Sequence, residues 1–260
     1  MSPFKININR YGGVFVDPDS LPDKPHTFRK WLEDALLVWK KAGHVSVWLE
    51  VPEERAYLIQ TAVDLGFSFH NAHGHTLTLN CRLLPNAVLP DDASHYLGAG
   101  GIVINEANEL LVIREKYHNA PPGMYKLPGG FVQAGENIAD AVVREVWEET
   151  GVEAVFQSLV CFRHWHVNRF RKSDIYVVCR LTPTTSAIVT QEEEIAECRW
   201  MPVDEFLNHE DVSMFNKGVV ETAVTQTGFV SRWFVPPTDP TFAQKYELFL
   251  PPANNQKKNV

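Results

Sequence analysis

The chain has 260 residues, which at about 150 residues per domain predicts one large domain or two smaller ones. Acidic residues outnumber basic residues by 32 to 24, and the net charge of −8 argues against broad binding of nucleic acid polymers or anionic membranes. The four cysteines lie far apart, and no apolar stretch is long enough for a signal peptide or a membrane span. We therefore expect a cytoplasmic protein with reduced thiols.

Periodicity predicts two helices and three strands in the first part of the chain. Apolar residues from Phe28 to Trp39 recur with helical spacing, and Gly43 follows as a natural stop. Strict alternation from Val45 to Val51 is typical of a strand. The predicted elements are a helix over 28–39, a strand over 45–51, a helix over 53–65 and strands over 67–70 and 75–81. Residues 84–92 contain two prolines and two aspartates, which predicts an irregular connector.

The second part of the chain alternates strands and helices around a glycine turn. We expect a hairpin first, made of strands over 97–104 and 109–114. The remaining predicted elements are a helix over 137–150, strands over 154–165, 174–181 and 197–200, and helices over 203–207 and 214–227. The polar C-terminal end, from about Pro251, is expected to fray.

Three carboxylates crowd the last turn of the helix predicted over 137–150. Glu145, Glu148 and Glu149, called here the carboxylate cluster, fall within an arc of about 100° at about 100° per residue. The helix dipole disfavours anions at this end, and like charges four residues apart repel each other. A charged amphipathic helix with exposed glutamates is the alternative interpretation, but it leaves both penalties uncompensated.

A divalent cation would remove both penalties. Carboxylate oxygens suit Mg²⁺ or Mn²⁺, and such a cation can recruit a phosphate-bearing substrate in spite of the negative net charge. The glycine turn at Leu127–Phe131 offers backbone carbonyls near the cluster. Arg144 can reach Glu148 one turn along the helix and hold the carboxylates in place.

The spacing of these residues resembles the Nudix box. Gly130 is followed after five residues by Glu136, and after seven more by Arg144-Glu145-Val146-Trp147-Glu148-Glu149-Thr150-Gly151-Val152. The resemblance to the Nudix hydrolase superfamily implies an α/β/α sandwich with a mixed sheet. It also implies metal-dependent hydrolysis of a nucleoside diphosphate linked to another moiety.

The resemblance implies a role for each residue of the motif. Glu145 and Glu149 are expected to bind the metal directly, Glu148 to bind it or position water, and the Gly129 carbonyl to be a further ligand. Arg144 and Glu136 are expected to orient the cluster, and Gly130 and Gly151 to shape the backbone. Family members often take a further glutamate from a later loop, and the 191–195 loop offers Glu194, with its acidic neighbours as alternatives.

Substrate contacts are expected near the glycine turn and on the strand over 154–165. The candidates are Tyr125, Lys126, Arg163, His164 and His166. A surface strand face is an equal alternative for the two histidines, and core packing is favoured over base stacking for Phe162, Trp165 and Phe170. The histidines at 70, 73 and 75 are interpreted as polar turn residues.

The N-terminal part resembles a subgroup of Nudix proteins with an acetyltransferase-like pre-Nudix domain, which includes plant ADP-ribose/NADH pyrophosphatases. The implied architecture is α/β throughout, with a smaller α/β domain over 1–92, a hydrolase domain over 93–236 and a tail over 237–260. No acetyl-CoA loop motif occurs in the first 90 residues, so the first domain is expected to aid dimerisation or shape the substrate pocket. A homodimer is implied.

The expected reaction is cleavage of the pyrophosphate in ADP-ribose, NADH or a related dinucleotide, with release of AMP. Two alternatives stay open: a catalytically weak domain that acts as a nucleotide sensor or interaction module, and a coenzyme A pyrophosphatase. The segment from His118 to Lys126 does not resemble the coenzyme A signature, and the extra domain argues against nucleoside triphosphate sanitation.

Overall fold

The computed structural model describes residues 3–116, 123–231 and 246–252, except for the side chains of 167–169. The chain divides into two compact units, residues 1–93 and 94–260. Most of the segment from His118 to Lys126 and most of the predicted tail lie outside the described residues. In the described part of the chain, no helix is long and apolar enough to cross a membrane.

The first unit is a five-stranded sheet with helices on one face. Its elements are β1 (Ile6–Ile8), β2 (Gly13–Val16), α1 (Pro25–Lys41), β3 (Ser46–Pro52), α2 (Ile59–Asp64), β4 (Ser68–His73) and β5 (Thr76–Arg82). The strand order is β1-β2-β3-β5-β4, in which only the β2–β3 pair is parallel. Alternate residues of β3, Val47, Leu49 and Val51, pack with Phe28 and Leu32 of α1 in the core of this unit.

Two features of this unit differ from the sequence-based prediction. Strands β1 and β2 were not predicted, because three or four residues are too few to show a reliable alternation. The helix predicted over 53–65 begins as a 3₁₀ turn, Glu53–Leu58, and becomes α-helical only at Ile59. The backbone of Arg55 is not helical (φ −112°, ψ 16°), which breaks the regular pattern there.

The second unit has two of its sheets between helical layers. Its elements are β6 (His95–Val103), β7 (Glu109–Glu115), β8 (Gly129–Phe131), α3 (Ile138–Thr150), β9 (Ala154–Arg169), β10 (Lys172–Pro183), β11 (Ile195–Pro202), α4 (Val203–Asn208), α5 (Met214–Thr225), β12 (Val230–Ser231) and β13 (Phe249–Leu250). One sheet has the order β8-β6-β10-β9 and is mixed, because β6 and β10 run parallel. The other pairs β7 with β11.

The predicted hairpin of 97–104 and 109–114 is wrong in its pairing. Beside the turn the two strands form one isolated bridge, between Ile104 and Leu110, and then diverge into different sheets. β6 pairs with β8 and β10, and β7 pairs with β11, so both strands are buried and take partners distant in sequence. The polar turn between the two predicted strands carries no information about partners that are distant in sequence.

Helices cover opposite sides of this unit. α3 packs through Val142 and Val146 onto a cluster that includes Ala99 and Val177. α5 packs through Val220 and its neighbours onto a second cluster that includes Val178. The expected α/β/α arrangement with a mixed sheet is therefore confirmed, and its layers leave β8 at a sheet edge beside α3.

Residues 246–252, which the sequence analysis assigned to a tail, pack against the second unit instead. β13 pairs with β12, and the ring of Phe249 lies 5.7 Å from that of Phe156 on β9. The end of the chain from 253, where fraying was expected, lies outside the described residues.

Candidate active site

Helix α3 carries the carboxylate cluster and is held by its apolar face. Ala141, Val142 and Val146 are fully buried. Gly151 ends the helix in the left-handed conformation (φ 70°) and donates a 2.8 Å hydrogen bond to the carbonyl of Trp147. Gly151 thus shapes the backbone by ending the helix in a conformation that glycine adopts easily.

The three carboxylates of the cluster lie in different environments. Glu149 is only 8% exposed, and its Oε2 accepts a 2.7 Å hydrogen bond from the Gly129 N–H. The side chain of Glu145 is 15% exposed, whereas that of Glu148 is 45% exposed. Burial raises the pKa of Glu149 to about 7, and it also raises the pKa of Glu145. Glu149, with the partly buried Glu145 beside it, is therefore called here the buried centre of the cluster.

Gly129 and Gly130 are required by close approaches. Gly129 has φ 152°, and a Cβ there would lie 2.3 Å from the Ala99 carbonyl oxygen. A Cβ on Gly130 would lie 2.6 Å from Oε2 of Glu145. The absence of side chains at Gly129 and Gly130 therefore lets the carboxylates of α3 reach the edge strand.

Arg144 binds three carboxylates with one guanidinium group. It forms a bidentate pair with Glu136, through Nε at 2.7 Å and Nη2 at 2.9 Å. Its Nη1 also donates to Glu145 at 2.8 Å and to Glu148 at 2.9 Å. This pairing holds the pKa of Glu136 below its ordinary range. The geometry fits the orienting role expected for Arg144 and Glu136.

Lys126 and Glu115 flank the buried centre. Lys126 Nζ forms an ion pair with Glu115, which the sequence analysis did not single out. Lys126 lowers the pKa of Glu149, and Glu115 raises it, so both charges act on this carboxylate. Glu115 ends β7, and only its strand pairing brings it here, so no sequence signal pointed to it.

The 191–194 loop is tied by its backbone to the same region. The Gln191 N–H donates to the Glu149 carbonyl at 3.2 Å, and the Lys116 N–H donates to the Glu194 carbonyl at 2.7 Å. The side chain of Glu194 is exposed, like those of Glu192 and Glu193. The loop thus lies beside the end of α3, and its side chains are free to turn towards a ligand.

Tyr125 is a core residue rather than an open contact. It is 5% exposed, and its hydroxyl donates a 2.8 Å hydrogen bond to Glu197. The guanidinium groups of Arg114 and Arg199 lie 4.9 Å and 5.0 Å from the centre of its ring. These contacts account for Tyr125 by itself, without a substrate.

Arg163 and the two histidines lie on opposite faces of β9. Arg163 faces Tyr176 on β10, and its guanidinium also lies 4.9 Å from the Trp165 ring. His164 and His166 contact each other on the other face, and His164 contacts His95 through Nε2 atoms 2.8 Å apart. Of these three candidates, only Arg163 lies on the face that leads to Gly129.

Tyr176 connects this face to the carboxylate cluster. A Cβ on Gly98 or Gly100 would overlap its ring, and a Cβ on Gly129 would lie 2.9 Å from its hydroxyl. Burial and the charge of Glu149 raise the pKa of Tyr176 well above its ordinary value. Alternating glycines on β6 opposite a tyrosine were the sequence signal that could have revealed this contact.

Glu145 and Glu149 fit a magnesium-type ion in their chemistry. Among the described residues, no three His, Cys, Asp or Glu side chains gather closely enough to hold a metal alone. Mg²⁺ is commonly held by one or two carboxylates together with water and substrate phosphates. The buried carboxylate of Glu149 and the partly buried one of Glu145, beside the backbone of Gly129, meet that requirement.

Comparison with known proteins assigns the family. A model described as NUDIX domain matches residues 94–223, and one described as Nudix hydrolase domain matches residues 4–83. Nudix hydrolase 8 of Arabidopsis thaliana is 40% identical over 203 residues, which cover 76% of this chain and 55% of that protein. Nudix hydrolase 2 of the same plant is also 40% identical over 203 residues, covering 77% of this chain and 72% of that protein.

The similarity extends to an animal relative. Human nucleoside diphosphate-linked moiety X motif 6 is 36% identical over 215 residues, which cover 79% of this chain and 67% of that protein. This chain therefore spans between about half and three quarters of these relatives. Both units are matched, the first as well as the one that carries the carboxylates. The chain belongs to the Nudix hydrolase family.

Proposed function

We propose that this protein hydrolyses the pyrophosphate bond of a nucleoside diphosphate linked to another moiety, such as ADP-ribose or NADH, and releases AMP. The observation that supports this most is the low exposure of Glu149 and Glu145 against strand β8, called here the glycine strand because it begins with Gly129 and Gly130. Glu145 shares the Arg144 guanidinium with Glu136 and Glu148, and Glu149 is bound only by a backbone N–H, near a Lys126 that is paired with Glu115. A divalent cation would supply the positive charge that these carboxylates lack.

The residues of the chain divide the work between them. Glu145 and Glu149, with the Gly129 carbonyl, would hold Mg²⁺ or Mn²⁺, and Arg144 and Glu136 keep Glu145 and Glu148 in place. The bound metal would polarise phosphoryl oxygens and neutralise charge on the leaving oxygen. We assign Glu194 as the base or an added ligand, because its loop adjoins the end of α3.

We assign the sheet face around Tyr176 as the binding surface for the nucleoside end of the substrate. Tyr96, Asp174 and Trp165 form one row across β6, β10 and β9, and Phe131 lies beside Tyr96 with ring centres 5.5 Å apart. Phe131 and Trp165 are about half exposed, so each can stack on a base. Two cations border these rings, Arg163 over Trp165 and Lys172 over Tyr96.

Among the substrate contacts expected from sequence, the proposal keeps Lys126 and Arg163. Tyr125 is left out because it is buried, with 5% of its surface exposed, whereas the side chains of Lys126 and Arg163 are about one third exposed. His164 and His166 are left out because they lie on the opposite face of β9. Phe131 is added because it directly follows the two glycines in β8, and Tyr96 is added because its ring lies beside that of Phe131.

A substrate panel tests the proposal. ADP-ribose, NADH, FAD, coenzyme A, diadenosine polyphosphates and deoxynucleoside triphosphates are incubated with Mg²⁺, with Mn²⁺ and with a chelator. We expect AMP from ADP-ribose or NADH only when metal is present, and a loss of turnover by about 10²-fold or more in Glu149→Gln. Cleavage of coenzyme A alone would favour the coenzyme A alternative. Tight nucleotide binding without product would favour a sensor.

The stacking face has its own test with a matched control. Trp165→Ala and Phe131→Ala are expected to raise KM about tenfold with little change in kcat, because each removes one stacking surface of about 1 to 3 kcal/mol. Phe162 is an exposed aromatic on the other face of β9, so Phe162→Ala serves as the control. An equal rise in KM for all three variants would contradict the assignment.

The resemblance to the pre-Nudix subgroup supports the finer organisation. We propose that residues 93–236 form the hydrolase domain, that residues 1–92 form the acetyltransferase-like domain, and that the protein is a cytoplasmic homodimer acting on a small nucleotide without nucleic acid or membrane partners. Light scattering tests the dimer, since a single species of 29.5 kDa would exclude it.

A further inference from the structure

The helix that carries the carboxylate cluster receives its N-terminal cap from a distant part of the chain. Glu247 Oε2 accepts a 2.6 Å hydrogen bond from the Ile138 N–H, and Oε1 accepts a 3.1 Å bond from the Ala139 N–H. The partners are 109 and 108 residues apart in sequence. One carboxylate therefore satisfies the first two amides of α3, which have no partner within the helix.

The start of α3 offers no cap of its own. Asn137 occupies the N-cap position with an extended backbone, but its side chain caps no amide. The Asn137 amide group donates instead to Asp140 at 3.2 Å. Because the N-terminus of a helix carries partial positive charge, the carboxylate of Glu247 is favoured there by charge as well as by hydrogen bonding.

The segment that carries Glu247 is itself fixed to the second unit. β13 pairs with β12 through Val230–Leu250 and Ser231–Phe249. Just before β12, Phe229 exchanges two backbone hydrogen bonds with Leu159 of β9, at 2.7 Å and 2.8 Å. Glu247 is thus presented from a small sheet anchored to β9, and it links that sheet to α3.

A cap at one end of a helix bears on the side chains further along it. Glu145 lies seven residues after Ile138 and Glu149 eleven residues after it, which is about 10 Å and about 16 Å along the axis. The far end of α3 is held by the Glu149–Gly129 bond and by Arg144. Because Glu247 holds the near end as well, the position of α3 along its axis and its rotation about that axis are both fixed.

We infer that Glu247 is a positioning residue for the carboxylate cluster: by capping α3 it sets where Glu145 and Glu149 meet the glycine strand. This inference rests on the metal site proposed above. The segment 246–252 then contributes to the function of the hydrolase unit. Its packing against that unit affects how well the site binds a divalent cation.

The test compares Glu247→Ala, Glu247→Gln and a matched control in the full-length chain. Glu221 on α5 is exposed, and Glu221→Ala removes an equivalent charge far from α3 in sequence. In metal-free protein we expect amide exchange at Ile138 and Ala139 to accelerate about tenfold in Glu247→Ala, because the carboxylate that accepts from both amides is lost. The Gln variant keeps one acceptor without the charge, so an intermediate acceleration is expected.

Metal binding and kinetics supply the readouts that a purely structural role would not move. We expect the Mn²⁺ dissociation constant of Glu247→Ala to rise about threefold to tenfold, with kcat falling by a similar factor, KM unchanged and Glu221→Ala like wild type. Adding Asn137→Asp to Glu247→Ala is expected to restore most of the Mn²⁺ affinity, because aspartate at the N-cap position can accept from the first amides and also replaces the lost negative charge.

The outcomes separate this inference from the proposed function. If wild type binds no Mn²⁺, the proposed metal site fails. If wild type binds Mn²⁺ and Glu247→Ala binds it equally well, the positioning role is overturned. A loss of Mn²⁺ affinity that Asn137→Asp does not rescue would also overturn it, since capping would not be the cause.

Discussion

The buried carboxylate of Glu149 accepts a 2.7 Å hydrogen bond from the backbone N–H of Gly129. This bond ties the last turn of α3 to the edge strand β8 and keeps the carboxylate at the sheet edge. The donor is a backbone group without a full charge, so it only partly offsets the burial that raises the pKa of Glu149 to about 7. The most buried member of the cluster therefore binds a proton or a cation readily.

The raised pKa of Glu149 predicts a stability effect in metal-free protein. Below about pH 4.5 the carboxyl is protonated in both the folded and the unfolded state, and between about 4.5 and 7 only the unfolded state ionises. The free energy of unfolding should therefore fall across this window, by at most about 3 kcal/mol from this group. In Glu149→Gln, which mimics the protonated form, the free energy of unfolding should fall less across this window than in wild type.

Urea unfolding in a chelator at pH 5 and pH 7.5 measures this difference. Glu149→Gln should match wild type at pH 5 and be more stable at pH 7.5. Because groups distant from Glu149 titrate equally in both proteins, the difference between them reports on Glu149 together with the charges coupled to it. A constant difference at the two pH values would show that burial does not raise this pKa.

Replacing Gly130 should disturb Glu145 while leaving the fold intact. The added Cβ in Gly130→Ala would lie 2.6 Å from a carboxylate oxygen, which belongs to the flexible end of the Glu145 side chain. We expect Glu145 to shift and the metal-dependent kcat to fall about 10-fold to 10²-fold, as small displacements of catalytic groups do.

Gly218→Ala is the matched control for this variant. Gly218 lies within α5 and has nothing within 4 Å of an added Cβ, so alanine should leave activity unchanged and favour the helix. Circular dichroism establishes the fold of both variants. Full activity in Gly130→Ala would mean that Glu145 does not need its present position.

The acidic loop gives a comparison among three neighbouring glutamates. Glu194→Gln should lower kcat about 10²-fold if its carboxylate acts as base or ligand. Glu192→Gln and Glu193→Gln alter the same exposed loop and should stay within about twofold of wild type, as surface changes usually do. Full turnover in Glu194→Gln, with a neighbour inactive instead, would move the role to that neighbour.

Tyr125 should behave as a structural residue. Tyr125→Phe removes the 2.8 Å hydrogen bond to Glu197 and should lower the free energy of unfolding by about 1 kcal/mol. KM and kcat should stay as in wild type, because the ring keeps its two guanidinium neighbours. A raised KM at unchanged stability would restore Tyr125 as a substrate contact.

Local patterns in the sequence determined most of the secondary structure and the carboxylate-bearing helix. The apolar period and Gly151 predict the helix over 137–150, and α3 runs from Ile138 to Thr150. The spacing of Gly130, Glu136 and Arg144 to Glu149 likewise identifies the family, because these groups meet through a single helix and the turn before it. Interactions within one helical turn, such as Arg144 with Glu148, follow from spacing alone.

Only the tertiary structure decided which charges meet and how deeply each is buried. Three adjacent-looking glutamates become one buried, one partly buried and one exposed, because β8 lies against only part of the helix surface. Glu115, Tyr176 and Glu247 come to α3 or to β8 from segments outside the helix and the turn that precedes it. Pairing between distant strands depends on non-local burial, and no periodicity within a short window encodes it.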